Sequence, residues 1–342
     1  MSGSGLFSPE DLLPRIGLAA GDVPHVIEAA RHSRERIDAA RDALAERPAG
    51  AGVPFALGSL GRHEACDASD LDLAWLFDAR IVDGRAASEE RAACVDALRA
   101  LGFVVPEKTF STPVDVGSLV ANVGGAHDTN LNLTHRALVL TEGTWLASPA
   151  LAEGLRARLF AVYRDGTTRG RFMTSLLNDL HRYYRTVCVD YRFKVEEADK
   201  GWALRNVKLR HSRKTWHLAN LALHCAARAL DDHGRHDAFL AERLQLPPLM
   251  KVAVAMDELG GPEAARECAD LWRRYDVYLG RVSLPDVRSA LEVLRPEDEE
   301  RSAPYLELKE NADALEIAAE RIVEVLLGTE PARGHLLRFG LL

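Results

Sequence analysis

The sequence predicts an α+β protein, with strands confined to roughly the first 150 residues and helices alone after them. Three observations carry this. Leu71, Leu73, Trp75 and Phe77 alternate along one short segment, the period-two signature of a strand with one buried face. Just upstream, the apolar run 53–57 stops at Gly58-Ser59, as a buried strand entering a tight turn does. Beyond that half, apolar residues recur only at helical spacing. With 342 residues, 47% hydrophobic and 27% charged, the chain can bury one large or two modest cores.

The elements follow in order. Val26, Ile27, Ala30, Ile37, Ala40 and Leu44 predict a long amphipathic helix over 22–47, with Asp22 to cap it and Pro48 to stop it. A turn-prone stretch, 48–52, leads into the strand 53–57. In the strand 71–77 the apolar alternation leaves Asp70 and Asp72 on the opposite face. A helix is expected over 86–101, with strands at 103–105 and 114–120. Helices are then expected over 151–163, 172–193, 202–230, 262–279, 284–294 and 305–327, broken at Gly201, Gly260-Gly261 and Pro285. The acidic run 296–300 reads as a solvated loop.

Composition narrows the function classes. The first residues show no basic stretch followed by an apolar core, and no window of about 18 uninterrupted apolar residues occurs, so neither secretion nor membrane insertion is expected. Five widely spaced cysteines, with no Cys-x-x-Cys pair, fit free thiols in a reducing cytoplasm. A formal net charge of -8 argues against a surface built to grip nucleic acid, which draws on many cations. His217 and His224 lack carboxylate or thiol partners at ligand spacing and read as ordinary imidazoles. Neither a phosphate-binding Gly-x-x-x-x-Gly-Lys loop nor a Gly-x-Ser-x-Gly elbow is present.

The chemistry-bearing segment runs from Gly58-Ser59 through Arg62 and Glu64 to Ser69-Asp70-Leu71-Asp72. Carboxylates at i and i+2 of a strand project side by side, which suits a pair of hard divalent cations about 4 Å apart for in-line displacement at phosphorus. A Gly-Ser turn lets the backbone approach phosphate oxygens, Ser59 adds a hydroxyl donor, and a following helix would turn free amides to the anion. Arg62 is placed to reach a phosphate. Each element alone is weak; the combination is not something folding by itself requires.

Gly58-Ser59 with Asp70 and Asp72 resembles the DNA polymerase β-like nucleotidyltransferase superfamily. The string GSLGRHEACDASDLDL is most similar to the bacterial branch containing the N-terminal domain of the PII-protein uridylyltransferase, which carries Arg-x-Glu where Arg62 and Glu64 stand. Specific resemblance covers about residues 53 to 78. It implies a small mixed-sheet nucleotidyltransferase domain over 1–150, leading helix included, and an α-helical substrate- or nucleotide-binding domain over 151–342. It further implies two magnesium ions, with manganese as a substitute, a nucleoside triphosphate donor, and transfer of UMP or AMP to a hydroxyl with pyrophosphate release. The acceptor, a protein or a small molecule, is not carried over. Nucleotide polymerisation, on an RNA end or as second-messenger synthesis, and a catalytically silent nucleotide-binding module are the alternatives, with RNA less attractive in so acidic a chain.

The superfamily's site also implies a third carboxylate on a neighbouring strand. Asp115 is the candidate because it interrupts an apolar strand-like run; a plain turn or edge-strand Asp is the competing reading, and Asp128 the second choice. Two stretches supply cations. Arg205, Lys208, Arg210, Arg213 and Lys214 crowd ten residues, and Asn178, Arg182 and Arg185 form one polar helix stripe. A triphosphate needs such donors, so Arg182, Lys208 and Arg213 join Gly58, Ser59 and Arg62 as expected nucleotide contacts.

Overall fold

The computed structural model describes residues 8–45, 50, 52–107, 109–165, 173–196, 201–230 and 233–341, without the side chains of 165, 192–196, 233, 234 and 341. The expected stop at Pro48 lies outside these residues. The chain forms two compact units, one of Ala30–Ser175 and one of Met1–Ala29 with Leu176–Leu342.

The first unit holds the sheet. Helix α1 (Pro9–Leu12) and the start of α2 (Pro24–Ala45) belong to the other unit, and α2 contributes here from Ala30 onward. Then come β1 (Val53–Leu57), the single turn α3 (Gly58–Gly61), β2 (Asp72–Phe77), α4 (Gly84–Ala100), β3 (Val114–Asp115), α5 (Val116–Val120), α6 (Asn130–Thr141), β4 (Thr144–Trp145) and α7 (Pro149–Asp165). The sheet is mixed, in the order β3-β2-β1-β4, with β2 antiparallel to β1 and parallel to β3. Leu71, Leu73, Trp75 and Phe77 enter one core with Ile37, Ala40 and Leu44 of α2 and Cys94, Val95 and Leu98 of α4. Each Leu, Ile, Val or Phe among them removed from water contributes about 1.5–3 kcal/mol. On the sheet's other side α6 packs against β1, and α5, α6 and α7 pack together.

Two expected strands are corrected. Residues 103–105 are not a strand; Val104 O instead accepts the Leu71 N–H at 2.8 Å. Only Val114 and Asp115 of the run 114–120 are extended, because the Asp115 carboxylate accepts the Ser118 N–H at 3.1 Å and starts α5.

The second unit is helical: α1, the first residues of α2, α8 (Thr174–Glu196), α9 (Trp202–Lys208), α10 (Lys214–Ala229), α11 (His233–Arg243), α12 (Pro248–Arg266), α13 (Cys268–Val282), α14 (Pro285–Val293), α15 (Ala303–Gly328) and α16 (Ala332–His335). A five-residue π-helical turn, Leu209–Arg213, joins α9 to α10. Gly260 and Gly261 leave helical geometry inside α12, where the sequence expects a break. The N-terminus of α2 is capped from afar: Asp276 Oδ1 on α13 accepts from His25 N at 2.7 Å and Val26 N at 2.9 Å. Asp22, the expected cap, accepts from Ala19 N.

The division of the chain also departs from the expected break at 150/151. Strand signals end there, but α7 packs on α5 and α6 and so extends the sheet unit to Ser175. Among the described residues, no helix is long and apolar enough to cross a membrane.

Candidate active site

The Gly-Ser turn and the Asp-x-Asp segment meet at one end of the β1–β2 ladder. Leu57, closing β1, pairs with Asp72, opening β2. Gly58 therefore lies directly against the Asp72 side chain. A Cβ on Gly58 would stand 2.4 Å from Asp72 Oδ2, and the residue has φ +68°. Both the close approach and the left-handed backbone require glycine.

The two carboxylates flank Leu71, which is buried, while Asp70 is exposed and Asp72 partly so. Asp72 opens β2, whereas Asp70 and Leu71 precede the strand, so the expected strand start at Leu71 moves to Asp72. Asp70 is delivered by a tight turn in which Ser69 Oγ accepts from Cys66 N at 3.0 Å and Cys66 O accepts from Ser69 N at 2.9 Å. Ser59 is partly exposed, and its carbonyl accepts the Glu64 N–H at 2.8 Å.

Arg62 does not reach outward. Its Nη1 donates to Glu142 Oε2 at 3.0 Å and its Nε to Glu64 Oε2 at 2.9 Å, and the side chains of Arg62, Glu64 and Glu142 are only 6%, 8% and 1% exposed. A guanidinium shared by two buried carboxylates is structural, so the expected phosphate contact at Arg62 is corrected. Nor is a helix of any length aimed at an anion. The turn α3 spans four residues, and its Gly58 N–H is bound to Glu142 Oε1 at 2.8 Å.

Glu142 is the residue that sequence reasoning missed. It follows α6 and lies 84 positions from Gly58. Its backbone matters as well, for a Cβ on Gly61 would come within 2.4 Å of Glu142 O and 2.7 Å of Ala56 O. The available signal was a single acid closing the apolar stretch Ala137–Leu140 just before Gly143.

Asp115 is not brought to the pair. Parallel register sets it beside Phe77, at the far end of β2 from Asp72, roughly 16 Å away at ~3.3 Å per residue. There it accepts from Ala79 N at 2.9 Å as well as from Ser118 N. The same end holds Asp78, whose carboxyl is pushed far below the usual carboxylate range by its Arg80 hydrogen bonds, with Arg158 adding to the effect. Asp128 is committed too: its carboxylate binds Arg136 at 2.7 and 2.9 Å, and both side chains are buried. Both candidates for a third carboxylate are thus structural.

Near the Gly-Ser end, Arg156 of α7 stacks over the Phe55 ring at 5.6 Å and donates to Gly143 O. Burial lowers its pKa to about 10. Among the described residues, no group of three or more His, Cys, Asp or Glu could hold a metal ion. Asp70 and Asp72 are a donor set of two. Such a pair of hard oxygens fits magnesium, which binds through one or two carboxylates and takes its other ligands from water and substrate phosphates.

Compared with known proteins, the chain matches no family model and no curated protein. The remaining expected contacts lie in the helical unit. Arg182 donates to Asp179 at 3.1 Å. In the basic stretch, Lys214 pairs with Glu316 at 2.6 Å and Arg210 with Asp313, both acids on α15. Arg213 differs, since its buried Nη1 has no hydrogen-bond partner. Lys208 is partly exposed. His217 stacks on Tyr184 at 4.2 Å, and burial lowers His217 and His224 to about 3, so both are neutral side chains at physiological pH.

Proposed function

We propose that this chain is a magnesium-dependent nucleotidyltransferase that moves UMP or AMP from a nucleoside triphosphate to a hydroxyl of a protein or small molecule, releasing pyrophosphate. The observation that carries the reading is the seating of the Asp72 carboxylate on Gly58, which joins two segments linked in sequence only by a loop. A strand that merely presented polar residues to solvent would not need a glycine forced into left-handed geometry beneath one of them. The resemblance of residues 53–78 to the DNA polymerase β-like superfamily points the same way.

In this reading Asp70 and Asp72 hold the metal. Bound there, magnesium would neutralise the triphosphate and favour ionisation of the attacking hydroxyl. Gly58 lets the turn close beneath the Asp72 carboxylate, and the partly exposed Ser59 supplies a hydroxyl donor to phosphate. The proton of the attacking hydroxyl needs an acceptor, and the position of Asp115 removes it from that role.

That position also favours a second reading, a nucleotide-binding module without turnover. One experiment separates the two. Purified protein is incubated with each of the four triphosphates, magnesium and cell lysate, and intact masses are searched for nucleotide additions. Additions that vanish in EDTA and in Asp72→Asn support transfer. Binding of a triphosphate without any addition or pyrophosphate release supports the silent module.

A further inference from the structure

We infer that Glu142 is a positioning residue for the Gly58-Ser59 turn, an inference that rests on the nucleotide-binding reading of this site. Its carboxylate performs two tasks at once. Oε1 accepts the Gly58 N–H at 2.8 Å, and both oxygens accept from Arg62 Nη1, at 3.2 and 3.0 Å. Gly58 is thereby held by Glu142, while Asp72 Oδ2 fills the space that a side chain at Gly58 would need. The chain direction of the turn, the place of the Ser59 hydroxyl and the seat of the Asp72 carboxylate are all set through this one amide.

Two buried acids share Arg62: Glu64 takes its Nε at 2.9 Å, and Glu142 is the one that also reaches Gly58. Its position after α6 gives it a firm base: Glu142 N donates to Leu138 O at 2.8 Å, and β4 begins two residues later.

Glu64 supplies the control. It shares Arg62 in the same buried trio, yet its side chain has no hydrogen bond to Gly58 among those described. Calorimetry would measure magnesium-dependent affinity for ATP, UTP, GTP and CTP, and for the matching nucleosides, in wild type, Glu142→Gln, Glu142→Ala and Glu64→Gln. Thermal unfolding and hydrogen exchange of peptides covering 57–62 would be recorded alongside. Glu142→Ala is expected to weaken triphosphate binding roughly tenfold to a hundredfold, the scale on which misplacement of a binding group acts. Glu142→Gln, which keeps an acceptor for Gly58, should lose less, and nucleoside affinity should not change. Exchange at 57–62 should rise in both Glu142 variants. Glu64→Gln, which leaves the Glu142–Gly58 hydrogen bond in place, should weaken triphosphate binding far less than Glu142→Ala does. Equal losses in Glu64→Gln and Glu142→Gln, or unchanged affinity and exchange in the Glu142 variants, would overturn the positioning role. Should Glu142→Ala fail to fold, Glu142→Gln and the exchange measurement decide. A wild-type chain that binds none of the four triphosphates would remove the nucleotide reading itself, and this role with it.

Discussion

At the scale of single residues, Gly58 is the most constrained position of the candidate site. Gly58→Ala would press a methyl group on the Asp72 carboxylate and hold alanine at φ +68°, a backbone that costs a non-glycine residue about 1–3 kcal/mol. The expected outcome is a lower urea midpoint together with loss of triphosphate binding; wild-type behaviour in both would show that the turn is not held as described. Arg62→Ala should be worse for stability, by about 3–5 kcal/mol, because it strands two buried acids. Ser59→Ala should leave stability nearly unchanged and lower transfer. Asp70→Asn and Asp72→Asn are expected to abolish nucleotide addition in a folded protein, measured by intact mass and circular dichroism. The turn at Gly58 and the strand opening at Asp72 were legible from sequence because local spacing sets them. The true role of Arg62 was not, because it depends on Glu142, a partner 80 positions away that no periodicity reveals.

At the scale of elements, strand β1 follows the apolar run residue for residue, since five consecutive buried positions leave a short chain little alternative. The segment 103–105 looks like a strand in sequence because Phe103 and Val105 are both buried against the sheet core. Its backbone nevertheless contributes a single ladder-like bond, to Leu71. Helix α6 escaped notice because Asn130-Leu-Asn-Leu133 alternates with period two, although Thr129 caps it by accepting from Asn132 N at 3.2 Å. The short α5 yields a test of the corrected Asp115 assignment. Asp115→Ala should remove the cap and destabilise the protein by about 1 kcal/mol, while triphosphate binding and transfer persist; abolished transfer at intact stability would return Asp115 to the site. In the helical unit, the half-buried Arg210 and Lys214 are paired with α15 acids. Their alanine variants should leave nucleotide affinity unchanged. Calorimetry with ATP and UTP checks this.

At the scale of the whole molecule, the two units differ in how they meet acid. The helical unit buries His211, His224 and His335, with side chains at most 3% exposed as residues. Burial, the largest influence on each, lowers them from the ordinary 6.5 to about 4, about 3 and about 4. His224 has its Nδ1 2.8 Å from Asn220 O, which calls for a proton on that nitrogen, and its Nε2 is buried with no hydrogen-bond partner. The sign follows from the order of the two pKa values. Below pH 6.5 the unfolded chain takes up protons at these sites while the folded unit does not, so stability falls as pH drops from about 6.5 toward about 4. Each histidine contributes at most about 1.4 kcal/mol per pH unit to that slope. Above pH 6.5 both states are neutral and the slope vanishes. The sheet unit has two depressed histidines of its own, His63, lowered to about 4 chiefly by burial, and His135, also lowered by burial, fewer than the helical unit holds; its most strongly shifted acid, Asp78, supports the fold until the pH falls below its ordinary 3.8. The helical unit is therefore expected to weaken first on mild acidification. Urea unfolding at pH 7, 6 and 5, followed by hydrogen exchange of peptides from 202–230 and from 53–77, should show the helical peptides losing protection at lower urea as pH falls, with the sheet peptides less affected. His224→Asn keeps a donor for Asn220 O and removes one titrating ring, so its slope between pH 6.5 and 5 should be shallower by about one proton, or about 1.4 kcal/mol per unit. A slope equal to wild type would mean that His224 is already protonated in the folded protein, and that acid reaches this core by another route.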